Sequence, residues 1–227
     1  MANVGREVKD GLYEQFARIG KAVGHPKRLE ILDVLSQGER SVEVLAAAVA
    51  ASMVNTSAHL RVLRESRLVD TRKNGTKVFY RLPDDTVTEF VFSLRELAAS
   101  RYAEVERILH DFLVSRDVLD PVTQDELVAL ASDDDVVIID VRPTEEYEAG
   151  HIPGAVSIPL AELADRMGEL PTDADVVAYC RGTYCVLAPQ AVGLLNSSGF
   201  KARRLSDGLP EWRTAGLPVV AGTEPRR

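Results

Sequence analysis

The stretch Leu68-Val69-Asp70-Thr71-Arg72-Lys73-Asn74-Gly75-Thr76-Lys77-Val78-Phe79-Tyr80-Arg81-Leu82 decides how the first half of the chain folds. Two runs suited to β-strands flank Asn74-Gly75, a pair that readily takes the positive backbone angles of a tight hairpin turn. Helix signals surround the hairpin. Upstream, Leu12, Phe16, Ile19 and Val23 recur at spacings of four, three and four, which is one helical face. Gly24-His25-Pro26 interrupts that face, and Pro26 opens a second helix through Leu29, Ile31, Leu32 and Leu35, stopped by Gly38. Short helices are expected at about Ser41–Val49 and Ser52–Ser66. Downstream, a long helix from about Thr86 to Arg116 carries Phe90, Leu94, Leu97, Val105, Ile108 and Phe112.

Past residue 116 the pattern changes. Val136-Val137-Ile138-Ile139-Asp140-Val141 and Val176-Val177-Ala178-Tyr179 are short apolar runs rich in β-branched residues. They read as buried parallel strands, with helices at Gln124–Ala131, Ala161–Glu169 and Leu187–Ser197 between and after them. The expected organisation is two domains with a boundary near Arg116–Asp120, just before Pro121. Residues 1–116 form a mainly α unit, 117–222 an α/β unit with a central parallel sheet, and 223–227 a frayed tail.

Composition removes several classes. Of 227 residues, 45% are hydrophobic and 27% charged, ordinary globular values that exclude a largely disordered chain. No apolar run approaches the ~20 residues of a membrane span. Met1–Asp10 is charged and lacks the apolar core of a secretory signal. Two cysteines exclude a disulfide-stapled scaffold. The expectation is a soluble, cytoplasmic protein that needs no membrane. The net charge of −8 is unevenly spread: residues 1–116 hold 18 Lys/Arg against 16 Asp/Glu, and residues 117–227 hold 9 against 19. An acidic half repels DNA, so only the first half can approach it. A merely solvated surface is the other reading of such a split.

Three helices, a hairpin and a helix make the order of a winged helix-turn-helix. Ala22–Leu82 resembles the ArsR-type bacterial repressors: Gly24-His25-Pro26-Lys27-Arg28-Leu29-x-Ile31-Leu32, then Ser57-x-His59-Leu60-x-x-Leu63-Arg64, then Leu68-Val69 and a wing ending in Tyr80-Arg81-Leu82. The resemblance implies a homodimer that binds palindromic double-stranded operator DNA and releases it on a chemical signal. The residue types agree with DNA contact. Asn55, Thr56 and Ser57 put small polar groups at the start of the expected recognition helix, with His59 and Arg61 extending them. Arg61, Arg64 and Arg67 recur every three residues and can reach phosphates, while Arg72, Lys73 and Lys77 charge the wing. The apolar stripes of the first and last helices exceed what a small core can bury, which suits a dimer surface. Packing of the last helix on the second domain is the alternative.

Many relatives of that family sense metals. The resemblance places one such site on a Cys-x-Cys in the helix matching Ser41–Ala48, where this chain reads Ser41-Val42-Glu43-Val44-Leu45. The other needs paired His and carboxylates on the last helix, which here offers His110 with Glu106 and Asp111. Zinc needs three or four donors, so neither a metal nor a cofactor is expected.

Asp140-Val141-Arg142, Glu146-Tyr147-x-x-Gly150-His151-Ile152-Pro153-Gly154-Ala155, Cys180 after a strand, and Gly208-x-x-x-Trp212-x-x-x-Gly216-x-Pro218 follow in order. Through them residues 121–220 resemble a rhodanese domain, an α/β family whose loop cysteine carries sulfane sulfur as a persulfide. The chemistry can also be read locally. Cys180 stands at the carboxyl end of a parallel strand, where α/β folds bind ligands. The segment Arg181-Gly182-Thr183-Tyr184 then leads towards a helix whose first amides favour an anion. A thiolate there is expected to have a lowered pKa and to act as nucleophile, with Arg181 adding positive charge and Gly182 allowing a tight curl. A buried, inert thiol is the bland alternative. Cys185 shares the loop and suits a resolving thiol, unless it packs under the helix beyond bridging distance. Asp140 and Arg142 read as structural support, as do His151 and Trp212.

The leading expectation is a transcriptional regulator whose second domain senses reactive sulfur or oxidants through Cys180 with Cys185. The alternative is a sulfurtransferase taking thiosulfate or persulfide sulfur, with an accessory DNA-binding half. An oxyanion small molecule at the same loop remains a third possibility, because helix N-termini accept anions generally.

Overall fold

The structure, a computed structural model, describes residues 2–116, 118, 120–130 and 136–222. The expected tail at 223–227 lies outside the described residues. The described residues form two compact units, one up to Glu96 and one from Leu97 onward.

The first unit strings together α1 (Ala2–Val23), α2 (Pro26–Ser36), β1 (Arg40–Ser41), α3 (Val42–Ala48), α4 (Met53–Glu65), β2 (Asp70–Asn74) and β3 (Lys77–Arg81). The hairpin forms as its turn chemistry dictates. Asn74 pairs with Lys77, and Gly75 supplies the positive φ of +59° between them. A short third strand, β1, was not foreseen; it closes the other edge of β3 and gives the order β1-β3-β2. Ile31, Leu32, Leu45, Leu60, Leu63 and Val69 form the core. The stripe on α1 divides: Ile19 and Val23 join this core, whereas Leu12 and Phe16 are 52% and 64% exposed.

The long helix expected over Thr86–Arg116 is two helices, α5 (Asp85–Arg101) and α6 (Ala103–Val114), with Tyr102 extended between them at φ −118° and ψ 101°. On α6, Leu109, Phe112 and Leu113 pack into the core of the second unit, together with Val118. The division between the two units falls within α5, and at the expected boundary of Arg116–Asp120 the residues Asp117 and Leu119 lie outside the described residues.

The second unit continues with α7 (Gln124–Leu130), β4 (Val136–Asp140), α8 (Thr144–Ala149), β5 (Val156–Ser157), α9 (Leu163–Arg166) with a 3₁₀ turn at Met167–Glu169, β6 (Asp175–Cys180), α10 (Leu187–Ser197), β7 (Lys201–Gly208) and α11 (Leu209–Thr214). The four strands are parallel in the order β5-β4-β6-β7. Strand periodicity then sorts the core. Val176, Ala178 and Cys180 of β6 face one layer with Ala188, Ala191 and Val192 of α10, whereas Val177 and Tyr179 face the other with Leu127, Tyr147 and Trp212. Burial of both faces sets Cys180 at the end of the central strand, where the chain turns out of the sheet towards α10.

Candidate functional site

Cys180 ends β6 and is 2% exposed, while Cys185 is half-buried; both are free thiols. Between them the chain curls tightly. The Cys185 amide donates to the Gly182 carbonyl at 2.9 Å, and Gly182 has φ +148°. A side chain at Gly208, on the neighbouring strand, would bring its Cβ within 2.2 Å of the Gly182 nitrogen, so the loop rests on bare glycine backbone. Glu211 buttresses the contact: one carboxylate oxygen accepts from the Gly208 amide at 3.1 Å, and the other would lie 2.8 Å from a Cβ at Gly182.

The two thiols are shifted in opposite directions. Burial pushes the Cys180 thiol well above the ordinary cysteine range, and its hydrogen bond to Cys185 adds to the effect. That same hydrogen bond is the largest influence on Cys185, which falls to about 7; the Leu187 and Arg181 amides and the Arg181 charge also lower it, against its burial. The expectation of a lowered pKa at Cys180 is therefore corrected. The anion-favouring amides are present, from Gly182 and Ala188 to Cys180, but desolvation outweighs them. Cys185 is the more acidic of the two, and Cys180 Sγ donates to the Cys185 carbonyl oxygen at 3.9 Å.

Arg181 does not stand open to an incoming anion. Its Nη2 lies 2.7 Å from Glu146 Oε1 and its Nε 3.0 Å from Oε2, with Glu146 1% exposed. Glu146 stands in a quoted motif but without a role at the loop, and Glu211 was not singled out; an acidic side chain beside a sulfur loop carries no signal of such a role in the sequence. Thr183 is half-buried and Tyr184 is 41% exposed at the rim. Asp140 and Arg142 are both fully buried, and Arg142 forks onto Asp140 and donates to the Gly150 carbonyl at 2.7 Å. Burial works against the Arg142 charge, yet the Asp140 carboxylate beside it holds its pKa up. His151 stacks on Tyr147 at 3.6 Å, and Trp212 Nε1 donates to the Pro218 carbonyl at 2.9 Å.

In the first unit, α4 presents a second candidate surface. Ser52 caps it, accepting from the Asn55 amide at 3.2 Å. Val54, Ser57, Ala58 and Arg61 fall on one exposed face at helical spacing, beside exposed Asn55 and Arg64. Val54 is 78% exposed and was not among the expected contacts; a valine on a polar face was its only sequence signal. Two expected contacts point elsewhere. Thr56 is fully buried, because it sits one position off the exposed face, and its hydroxyl has no hydrogen-bond partner among the described residues. His59 is half-buried and packs against His25 with ring centroids 4.4 Å apart; burial first, then the His25 and Arg28 charges, lower its pKa. Arg67 lies beyond the end of α4 with φ +59°, so it does not continue the face of Arg61 and Arg64. On the wing, Lys73 and Lys77 are exposed, whereas Arg72 is held by Glu39, with Nε 3.0 Å from Oε2. Among the described residues, no group of three or more His, Cys, Asp and Glu is placed to hold a metal ion, and no helix is long and apolar enough to cross a membrane.

Comparison with known proteins matches each surface to a family. Residues 25–71 match the family model described as bacterial regulatory protein, arsR family, and residues 123–215 match the rhodanese-like domain. The chain is 46% identical over 214 residues to the HTH-type transcriptional regulator Rv0324 of Mycobacterium tuberculosis, covering 94% of each chain. It is 38% identical over 93 residues to a sulfurtransferase of Allochromatium vinosum, covering 40% of this chain and 85% of that protein. Among solved structures, it is similar to the homodimeric winged helix-turn-helix domain Mb0332 of Mycobacterium bovis, at 38% identity over 41% of this chain and 86% of that one, with a TM-score of 0.39.

Proposed function

This chain belongs to the ArsR family of helix-turn-helix transcriptional regulators, in a form that carries a rhodanese-like domain, and we propose that the second domain senses reactive sulfur or oxidants and controls operator binding by the first. The observation that carries the proposal is that two free cysteines share one loop, with Cys180 Sγ 3.9 Å from the Cys185 carbonyl oxygen. A buried thiol beside a second, more acidic thiol is suited to a one-time switch, because one can resolve what the other accepts.

The proposed order of events begins at Cys185, the more acidic of the two thiols. The Cys185 thiolate attacks the outer sulfur of a persulfide donor RSSH, forming Cys185–S–SH and expelling RS⁻. RS⁻ takes the Cys180 proton. The Cys180 thiolate then attacks Cys185 Sγ, forming the Cys180–Cys185 disulfide and expelling HS⁻. Transfer of the outer sulfur to Cys180 instead leaves the persulfide at the position the family resemblance implies. The amides of Gly182 and Ala188 would cradle it there. Either product removes the contact that Cys180 Sγ now makes with the Cys185 carbonyl oxygen at 3.9 Å.

Operator DNA is the proposed partner of the first unit. Val54, Asn55, Ser57 and Arg61 are placed to meet base edges, including a thymine methyl at Val54, while Arg64, Lys73 and Lys77 meet phosphates. A homodimer would supply two such helices about one DNA turn apart. The exposed stripe of Val4, Val8, Leu12 and Phe16 on α1 supports that assembly.

Similarity to a sulfurtransferase favours one second reading, an enzyme that turns over. Intact-mass analysis after polysulfide treatment, run beside steady-state turnover with thiosulfate and a thiol acceptor, tests the proposal. One added sulfur or one disulfide per chain, with negligible turnover, supports a sensor. Sustained turnover on the order of 1 s⁻¹ would make the chain an enzyme.

A further inference from the structure

We propose that Arg204, on the strand next to Cys180, is the positioning residue that holds anionic sulfur on Cys180. The inference rests on the sulfur-handling reading of the loop. Arg204 pairs across the sheet with Ala178, and Ala178 and Cys180 face the same layer because strand side chains repeat every second residue. A diagonal neighbour on one sheet face lies within reach of a long side chain. Beyond Arg204 the register shifts, so that Cys180 comes level with Gly208. No side chain from that position then separates the guanidinium from the thiol.

The partners of Arg204 leave its charge available. It is half-buried, and its Nε is buried without a hydrogen-bond partner among the described residues. Nη1 makes only long contacts, at 3.4 Å and 3.5 Å, to the carbonyls of Leu205 and Ser206. Burial pulls its pKa down, and the charges that oppose this are those of Cys180 first and Asp207 second. Asp207 is itself occupied in part, accepting from the Ser206 hydroxyl at 2.9 Å. The charge expected from Arg181 is committed to Glu146. A desolvated guanidinium that lacks a full set of hydrogen bonds gains most from an anion arriving beside it. A thiolate or persulfide on Cys180 is that anion.

Of the charged and titratable groups around the loop, Cys185 bears on Cys180 directly, Arg181 bears on Cys185, and Arg204 on β7 interacts with Cys180 and Asp207. The test uses the full chain with Cys185→Ser, so that only Cys180 reacts. Its alkylation by iodoacetamide is followed by peptide mass across pH. Arg204→Gln should slow alkylation on the order of tenfold below the midpoint, as a one-unit rise in pKa requires. Arg204→Lys should restore most of the rate. Asp207→Asn should move the midpoint the opposite way, which keeps the test decisive if Arg204→Gln folds poorly. Midpoints that coincide in all variants overturn the inference. Polysulfide loading of the unmutated chain is read in parallel. Failure to load defeats the sensing proposal, whereas unchanged midpoints defeat only the role of Arg204.

Discussion

Arg181 grips Glu146 with two nitrogens, at 2.7 Å and 3.0 Å, although the carboxylate is 1% exposed. The pair ties the sulfur loop to α8 and fixes the curl between the two cysteines. Removing one member of a buried pair leaves the other charge poorly compensated. Arg181→Met should therefore destabilise the fold by about 3 kcal/mol, near the low end for such losses because Arg181 keeps some solvent contact. Denaturant unfolding at neutral pH measures it; a loss below about 1 kcal/mol, the worth of a surface pair, would show that the tie is weak.

The thiols should titrate in a set order. Iodoacetamide should modify Cys185 with a midpoint near pH 7, while Cys180 stays protonated past the ordinary cysteine range. Cys180→Ala removes the thiol donor and should move the Cys185 midpoint up. The stability linkage follows the same shift. Cys185 has its pKa lowered from 9.0 to about 7 on folding, so its contribution grows as pH rises from about 7 to 9 and is lost below 7. Cys180, shifted upwards, contributes below pH 9 and loses that contribution at higher pH. Modification of Cys180 ahead of Cys185 would contradict this order.

Gly208→Ala should damage the loop more than its size suggests. The added carbon would meet backbone, 2.2 Å from the Gly182 nitrogen, and backbone cannot swing away as a side chain can. Overpacking of this kind costs about 1–3 kcal/mol. The thermal midpoint and the Cys185 alkylation profile should both shift; a variant identical to wild type in both would show that the loop does not rest on this glycine.

Thr56 and its neighbours separate core from contact. Thr56→Val removes a buried hydroxyl that has no partner among the described residues, so stability should hold or rise, and operator affinity should change by less than about twofold. Asn55→Ala and Ser57→Ala remove exposed polar groups on α4 and should each cost about 1–3 kcal/mol of operator binding. Titration of labelled operator at fixed salt distinguishes them. A large loss at Thr56→Val with none at Ser57→Ala would reverse the assignment.

Much of the architecture was legible because strong local signals agreed with the final packing. Asn74-Gly75 announced the hairpin, and Val176–Tyr179 could only be a buried strand. β7 stayed hidden because Lys201, Arg203, Arg204, Ser206 and Asp207 make it polar, as an edge strand tolerates. The break at Tyr102 has no glycine or proline to mark it, and the apolar pattern runs through it unbroken. At the site, the residue types point to a lowered pKa at Cys180, whereas burial raises it. The sign of that shift depends on how deeply β6 buries its last residue, which spacing along the chain does not encode. Likewise Thr56 and Arg72 have the chemistry of DNA contacts, yet one faces the core and the other faces Glu39.

The central claim is that chemistry at Cys180 and Cys185 changes operator binding. Fluorescence anisotropy on DNA from upstream of the protein's own gene tests it most directly, with reduced and polysulfide-treated protein compared at one salt concentration. The expected result is that treatment changes affinity, that reductant reverses the change, and that Cys185→Ser abolishes the response while leaving reduced-state binding intact. Tight binding by both forms with identical affinity would contradict it.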